Sequence, residues 1–136
     1  MSRVFFTDRD LGKKFPQILR EAGLTVERHA DHFAHDCPDE EWLQVVGERA
    51  WVAITHDSRI RYKPNELEAV VRHRVALLVV VGRASYPALA AAFVSALPRI
   101  ESFLESHDAP FIAKVYRPTP ADMRRNAPGR VELWYP

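Results

Sequence analysis

Three aspartates stand where a chain of this pattern brings them together. Asp8 follows the apolar run "RVFF", Asp57 closes "WVAITHD", and Asp39 opens the acidic stretch "DEEW" just after Pro38. Asp39 lies three, four and seven residues before Trp42, Leu43 and Val46, which puts it on the inward stripe of a helix, while Glu40 points outward and Glu41 is intermediate. Carboxylates crowded at one edge of a sheet repel each other, and burial raises their pKa values unless a cation compensates. A divalent metal is the simplest such cation. All-oxygen ligation suits Mg²⁺ or Mn²⁺, and the waters such ions retain can become the nucleophile in phosphodiester cleavage. After Asp57 come Arg59, Arg61 and Lys63, suited to holding the phosphates of a substrate beside the metal, with Tyr62 between them as a ring on which a base can stack.

The elements that must carry these residues read as α/β. "RVFF", "LTVERH", "WVAIT", "VALLVVV" and "FIAKVYR" are strand candidates, and stretches of helical period lie between them: Leu11 to Ala22, Pro38 to Arg49, Asn65 to Arg74, and a long helix from Tyr86 to His107 that bends near Pro98. Residues 30–38 are rich in turn formers and read as a loop. Four strands are nearly apolar throughout, which predicts a central, mostly parallel sheet of about five strands with helices on both faces. In such a sheet ligands bind at the carboxyl ends of the strands, where Asp8 and Asp57 fall. From Pro118 the composition turns to prolines, small residues and arginines, so residues 1–117 read as the domain and 118–136 as a tail or added edge hairpin with little chemistry of its own.

Bulk properties narrow the function classes. A chain of 136 residues, 47% apolar and 27% charged, is the size and composition of one ordinary globular domain. The formal net charge of +1 gives no whole-molecule attraction to nucleic acid or membrane, so any basic patch must be local. The single cysteine, Cys37, excludes an internal disulfide framework and a cysteine-rich zinc site. The first residues lack the apolar core of a signal peptide, and the longest apolar run is far below the ~20 residues of a membrane helix. A cytoplasmic protein without membrane contact is expected.

The stretches "VFFTDRDLGKKFPQILREAGLTVE" and "DCPDEEWLQVVGERAWVAITHDSRIRYKPNE" resemble the PIN-like nucleases, in particular the short bacterial PIN-like proteins classed with toxin components of toxin–antitoxin pairs. In that family an Asp closes the first strand, an acid sits early in a helix, and a T-x-D closes a later strand; Asp8, Asp39 and Asp57 match. The resemblance, over residues 3–116, implies a Rossmann-like three-layer sandwich and a metal-dependent endoribonuclease. It further implies Mg²⁺ or Mn²⁺ on those three acids, frequent homodimers, and inhibition by a small antitoxin protein. Many relatives continue the last motif as T-x-D-x-D-F, whereas Arg59 stands at the matching position here. A fourth ligand is therefore open, with Asp10, Glu41 and Glu66 as the acids at hand.

Blander roles compete for each residue. Asp8, Asp10 and Asp57 can be capping residues, Asp39 a first-turn acid favoured by the helix dipole, and the basic run a solvated loop. His56 fits a structural strand-end histidine better than a general base. His29, His32 and His35 have zinc-like spacing only if their segment is helical, and Cys37 has no nucleophilic partner. Among other functions, "DRDLG" resembles the start of haloacid-dehalogenase phosphatases but carries Gly12 where Thr or Val is usual. A receiver-like phosphoacceptor domain would use Asp57, yet Lys114 falls within its strand instead of at the end. The main alternative is a PIN-like module that binds RNA or protein without cutting.

Overall fold

Phe5 and Phe6 are neighbours in the first strand, β1 (Val4–Thr7), and both are buried. Successive side chains of a strand point to opposite faces, so β1 has to be covered on both. The computed structural model, which describes residues 3–136, shows how. After β1 come α1 (Lys14–Glu21), β2 (Thr25–Arg28), α2 (His29–His32), α3 (Asp39–Glu48), β3 (Val52–Thr55), α4 (Pro64–Arg72), β4 (Ala76–Val81), α5 (Tyr86–Ser95), α6 (Leu97–Ser106), β5 (Phe111–Tyr116), α7 (Pro120–Arg124) and β6 (Val131–Tyr135). The strands form one sheet in the order β2-β1-β3-β4-β5-β6, parallel except for β6, which runs antiparallel to β5. This is the α/β sandwich expected, with a sixth strand.

Each face has its own core. On one, Phe5, Ile54, Leu78 and Val80 pack with Phe15 and Leu19 of α1, Phe93 of α5 and Ile100 of α6. On the other, Phe6, Ala53, Leu77, Val79 and Ile112 pack with Trp42, Leu43 and Val46 of α3 and with Ala69 and Val70 of α4. Phe6 stacks on Trp42 at 5.4 Å between ring centroids, and Phe5 meets Phe93 edge-on at 5.8 Å. Helices α3 and α4 approach so closely that a Cβ on Gly47 would collide with the His73 carbonyl.

The connections explain where a site can form. From β1 the chain returns to one neighbour, β2, over the first face, and then to the other neighbour, β3, over the second. The strand order therefore reverses at β1/β3, and the carboxyl ends of these two strands border the crevice where ligands bind in sheets of this kind.

The structure corrects two readings of the sequence. His29, expected to end a strand, and residues 30–32, expected to open a loop, form the short helix α2, because the His29 ring is buried against Phe6 and Phe33 at centroid distances of 6.2 and 5.4 Å. The long helix is two, α5 and α6, meeting at Ala96 with a bend of 63° just before Pro98. Residues 118–136, read as a tail or an added edge hairpin, hold a helix with a Thr119–Asp122 capping box and the edge strand β6, antiparallel to β5. No single helix is long and apolar enough to cross a membrane among the described residues.

Candidate active site

β1 and β3 end side by side, with Thr7 beside Ile54, and the chain beyond each strand turns at once. Asp8 caps a short turn, Arg9–Leu11, accepting from the Arg9 backbone N–H at 2.7 Å through Oδ1. Asp57 caps the turn Ser58–Tyr62, accepting from the Arg59 N–H at 3.0 Å. Both acids thus play the capping role expected of them, and both also line a cleft of about 530 Å³ at the switch point. Asp10 and Asp39 complete its four carboxylates, Arg9, Arg59 and Lys63 supply three cations, and His56 and Ser58 fill the remaining wall.

Thr55 lies at the centre of the hydrogen bonding. Its hydroxyl is 2.9 Å from Asp8 Oδ2 and 3.2 Å from Asp10 Oδ2, and its oxygen accepts from the Asp57 N–H at 3.1 Å. A hydroxyl has one hydrogen, so it serves only one of the two carboxylates at a time. Asp10 Oδ2 also receives the His56 N–H at 3.2 Å, but Asp10 Oδ1 is buried with no partner. Burial, with the nearby Asp10 charge adding and the Thr55 bond opposing, pushes the Asp8 carboxyl up to about 7. Burial raises Asp10 as well, against the bonds from His56 and Thr55.

The other two acids are already neutralised. Burial alone would raise Asp57, but Arg59 Nε at 3.0 Å and Lys63 Nζ at 3.2 Å hold its carboxyl below the usual range. Asp39 Oδ1 accepts from Arg9 Nη2 at 3.1 Å and from the Trp42 indole at 2.9 Å. Arg9 also reaches the Cys37 carbonyl at 3.1 Å and His29 Nε2 at 3.0 Å, which spans the gap between β1 and α3. Burial and the Arg9 charge lower the pKa of His29, so this ring accepts from the guanidinium.

Asp8, Asp39 and Asp57 therefore meet in one cleft, and Asp10 joins them. Glu41 does not: it is exposed on α3 and receives the Cys37 thiol at 3.3 Å. Glu66 lies 3.8 Å from Lys63 Nζ, behind the cation that lines the cleft. Arg59 and Lys63 face the cleft, whereas Arg61 turns toward β6. The His56 ring is tethered to the Gly82 carbonyl at 3.0 Å, which only accepts, so Nε2 carries the hydrogen. Lys114 is absent from the cleft and lies over the Trp134 ring. Arg9 escaped sequence reasoning, its only signal being its place between two acids, and Thr55, the T of the T-x-D motif, was given no role of its own although its hydroxyl ends an apolar strand.

As they stand, no three His, Cys, Asp or Glu side chains among the described residues are gathered tightly enough to hold a metal ion. The donor set nonetheless fits one: the buried Asp8 and the half-buried Asp10 share one hydroxyl hydrogen, and an orphaned buried oxygen, Asp10 Oδ1, is short of a positive partner. No curated protein matches the chain. A family model described as a PIN-like domain matches residues 3–82, from β1 through the turn after β4, a stretch that contains all four aspartates and all three cations of the cleft. With more than half of its length so matched, the chain belongs to the PIN-like domain family.

Proposed function

We propose that this cleft is the active centre of a metal-dependent endoribonuclease. The observation that carries the reading is the charge deficit at the buried Asp8 and the half-buried Asp10, two carboxylates with one hydroxyl hydrogen between them and one buried oxygen unpartnered. Asp8, Asp39 and Asp57 are the proposed ligands, and Asp10 is the fourth acid that Arg59 left open. A bound Mg²⁺ or Mn²⁺ supplies Lewis-acid stabilisation of the phosphate and lowers the pKa of water toward neutrality. The protein's own groups do the rest. Arg9, Arg59 and Lys63 hold the phosphodiester against the acids, and Thr55 fixes Asp8, Asp10 and the Asp57 backbone in one frame. A substrate phosphate competes with Asp57 for Arg59 and Lys63, so RNA binding frees the Asp57 carboxylate as it arrives.

On family grounds we further propose a toxin role in the cytoplasm, a homodimer, and a small antitoxin protein as inhibitor. The test of the central claim is cleavage of a mixed single-stranded RNA by purified protein with Mn²⁺, with Mg²⁺ and with chelator, beside Asp8→Asn to expose contaminating nuclease. Metal-dependent cutting lost in the variant is expected. Equal cutting by the variant, or cutting in chelator, would overturn the assignment.

One observation favours a second reading. Asp57 already has two protein cations and Asp39 has Arg9, which is how a cleft that binds RNA without a metal would be balanced. RNA binding that is indifferent to Mn²⁺, with no cleavage, would select that non-catalytic module.

A further inference from the structure

Strand β6 lies outside the stretch matched by the family model and lines none of the cleft, yet it grips the turn that does. Arg61 Nε donates to the Trp134 carbonyl at 3.4 Å, and its guanidinium lies 5.4, 5.7 and 5.1 Å from the ring centroids of Tyr62, Trp134 and Tyr135. Tyr62 meets Trp134 edge-on, 5.7 Å between centroids at 83°. On Trp134 the Lys114 ammonium sits 4.0 Å from the ring centre. Among the described residues neither Arg61 nor Lys114 has a carboxylate within 4.0 Å. The Tyr62 side chain, held in this way, is still 69% exposed.

We propose that Tyr62, fixed by Trp134 and beside the Arg61 guanidinium, with Lys114 seated on the Trp134 ring, is a base-stacking subsite for single-stranded RNA at the mouth of the cleft. The proposal rests on the RNA-cleaving reading and adds its strand-binding surface. Trp134 and Arg61 remove the ring's freedom before a base arrives, which lowers the entropic cost of stacking. An exposed aromatic face near cations that no carboxylate neutralises is the combination that recognises single strands without reading their sequence. Continuity with the cleft comes from the chain itself: Lys63, the residue after Tyr62, lines it. On this view β6 is a positioning element, and the tail that looked chemically idle sets how long a substrate must be.

The test combines anisotropy binding of a fluorescent 12-nucleotide single-stranded RNA, in chelator so that nothing is cut, with Mn²⁺-dependent cleavage of that RNA and of a trinucleotide. Tyr62→Ala should weaken binding of the 12-mer roughly tenfold and raise its KM with little change in kcat, while leaving the trinucleotide untouched; Tyr62→Phe should restore both. Arg61→Gln should reduce the salt slope of binding by about 0.7, one phosphate contact on a single strand. Trp134→Phe should behave like wild type and Trp134→Ala like Tyr62→Ala, with melting curves taken to confirm folding. Unchanged 12-mer binding in both alanine variants would overturn the subsite while leaving cleavage intact. Binding that depends on Tyr62 without any cutting would support the subsite and remove the nuclease.

Discussion

The most direct consequence of burying Asp8 beside Asp10 concerns stability. The Asp8 carboxyl is 6% exposed and its pKa is raised from 3.8 to about 7. Between those values the folded protein keeps a proton that the unfolded chain releases, so more protons are bound in the native state and stability must fall as pH rises through that window. A shift of about three units corresponds to about 4 kcal/mol, fully expressed above pH 7 and absent below pH 4. Asp8→Asn removes the titration and keeps the shape. The Arg9 N–H still finds an oxygen, and the amide can donate to Thr55, whose hydrogen is then free for Asp10. In chelator the variant should therefore melt higher than wild type at pH 8, by about 12–20 °C at the ~3–5 °C per kcal/mol expected for this size, and by little at pH 4. Added Mn²⁺ should raise the wild-type melting temperature at pH 8 and leave the variant nearly unmoved. The assay is thermal unfolding followed by circular dichroism from pH 4 to pH 8. A variant less stable than wild type across the whole range would refute the argument, since it would mean the ionised carboxylate is a net asset to the fold.

Thr55→Val should destabilise by about 1–3 kcal/mol in chemical denaturation, because the Asp57 N–H and two carboxylate oxygens lose their shared partner. Arg59 is 79% exposed, so Arg59→Ala should leave stability unchanged while tightening Mn²⁺ binding, read by calorimetry, roughly two- to fivefold as Asp57 loses one of its two cations. Gly47→Ala should lower the melting temperature by several degrees. Overpacking against the His73 carbonyl costs about 1–3 kcal/mol and exceeds the ~1 kcal/mol that alanine gains in a helix.

How much of this was legible follows from what each feature depends on. Asp8 and Asp57 could be placed because β1 and β3 are short apolar runs, and the residue that ends such a run must surface at the carboxyl edge of the sheet. Asp39 could be placed from the stripe it shares with Trp42, and the indole that bonds it is that same Trp42. Glu40 and Glu41 were ranked the wrong way round: Glu41, read as intermediate, stands about 200° of rotation from Asp39 and is exposed, while Glu40, read as outward, is half-buried. Asp10 was harder to place than Asp8, because its approach to Thr55 depends on a tight turn at Arg9–Leu11 that no hydrophobic period announces. Arg61 looked equivalent to Arg59 and Lys63 for the opposite reason. What separates it is a partner 73 positions away in β6, and local pattern carries no information about so distant a contact.

The charge arithmetic of the cleft links these residues into a single device. Four aspartates face Arg9, Arg59 and Lys63, so with every group ionised the cleft is short of one positive charge. With its pKa at about 7, Asp8 makes up that shortfall near neutral pH by keeping a proton for part of the time. A divalent cation that replaces this proton overshoots the balance and leaves the cleft net positive, the sign that attracts a phosphodiester. Metal and RNA should then bind cooperatively, each raising the other's affinity by the same factor, and metal uptake should release close to one proton below pH 7, falling away as pH rises through 7. Isothermal titration of Mn²⁺ in buffers of different ionisation enthalpy measures that proton count. Release that is largest below pH 7, declines through it in the wild type and disappears in Asp8→Asn is the expected result, and release unaltered by the substitution would place the metal elsewhere.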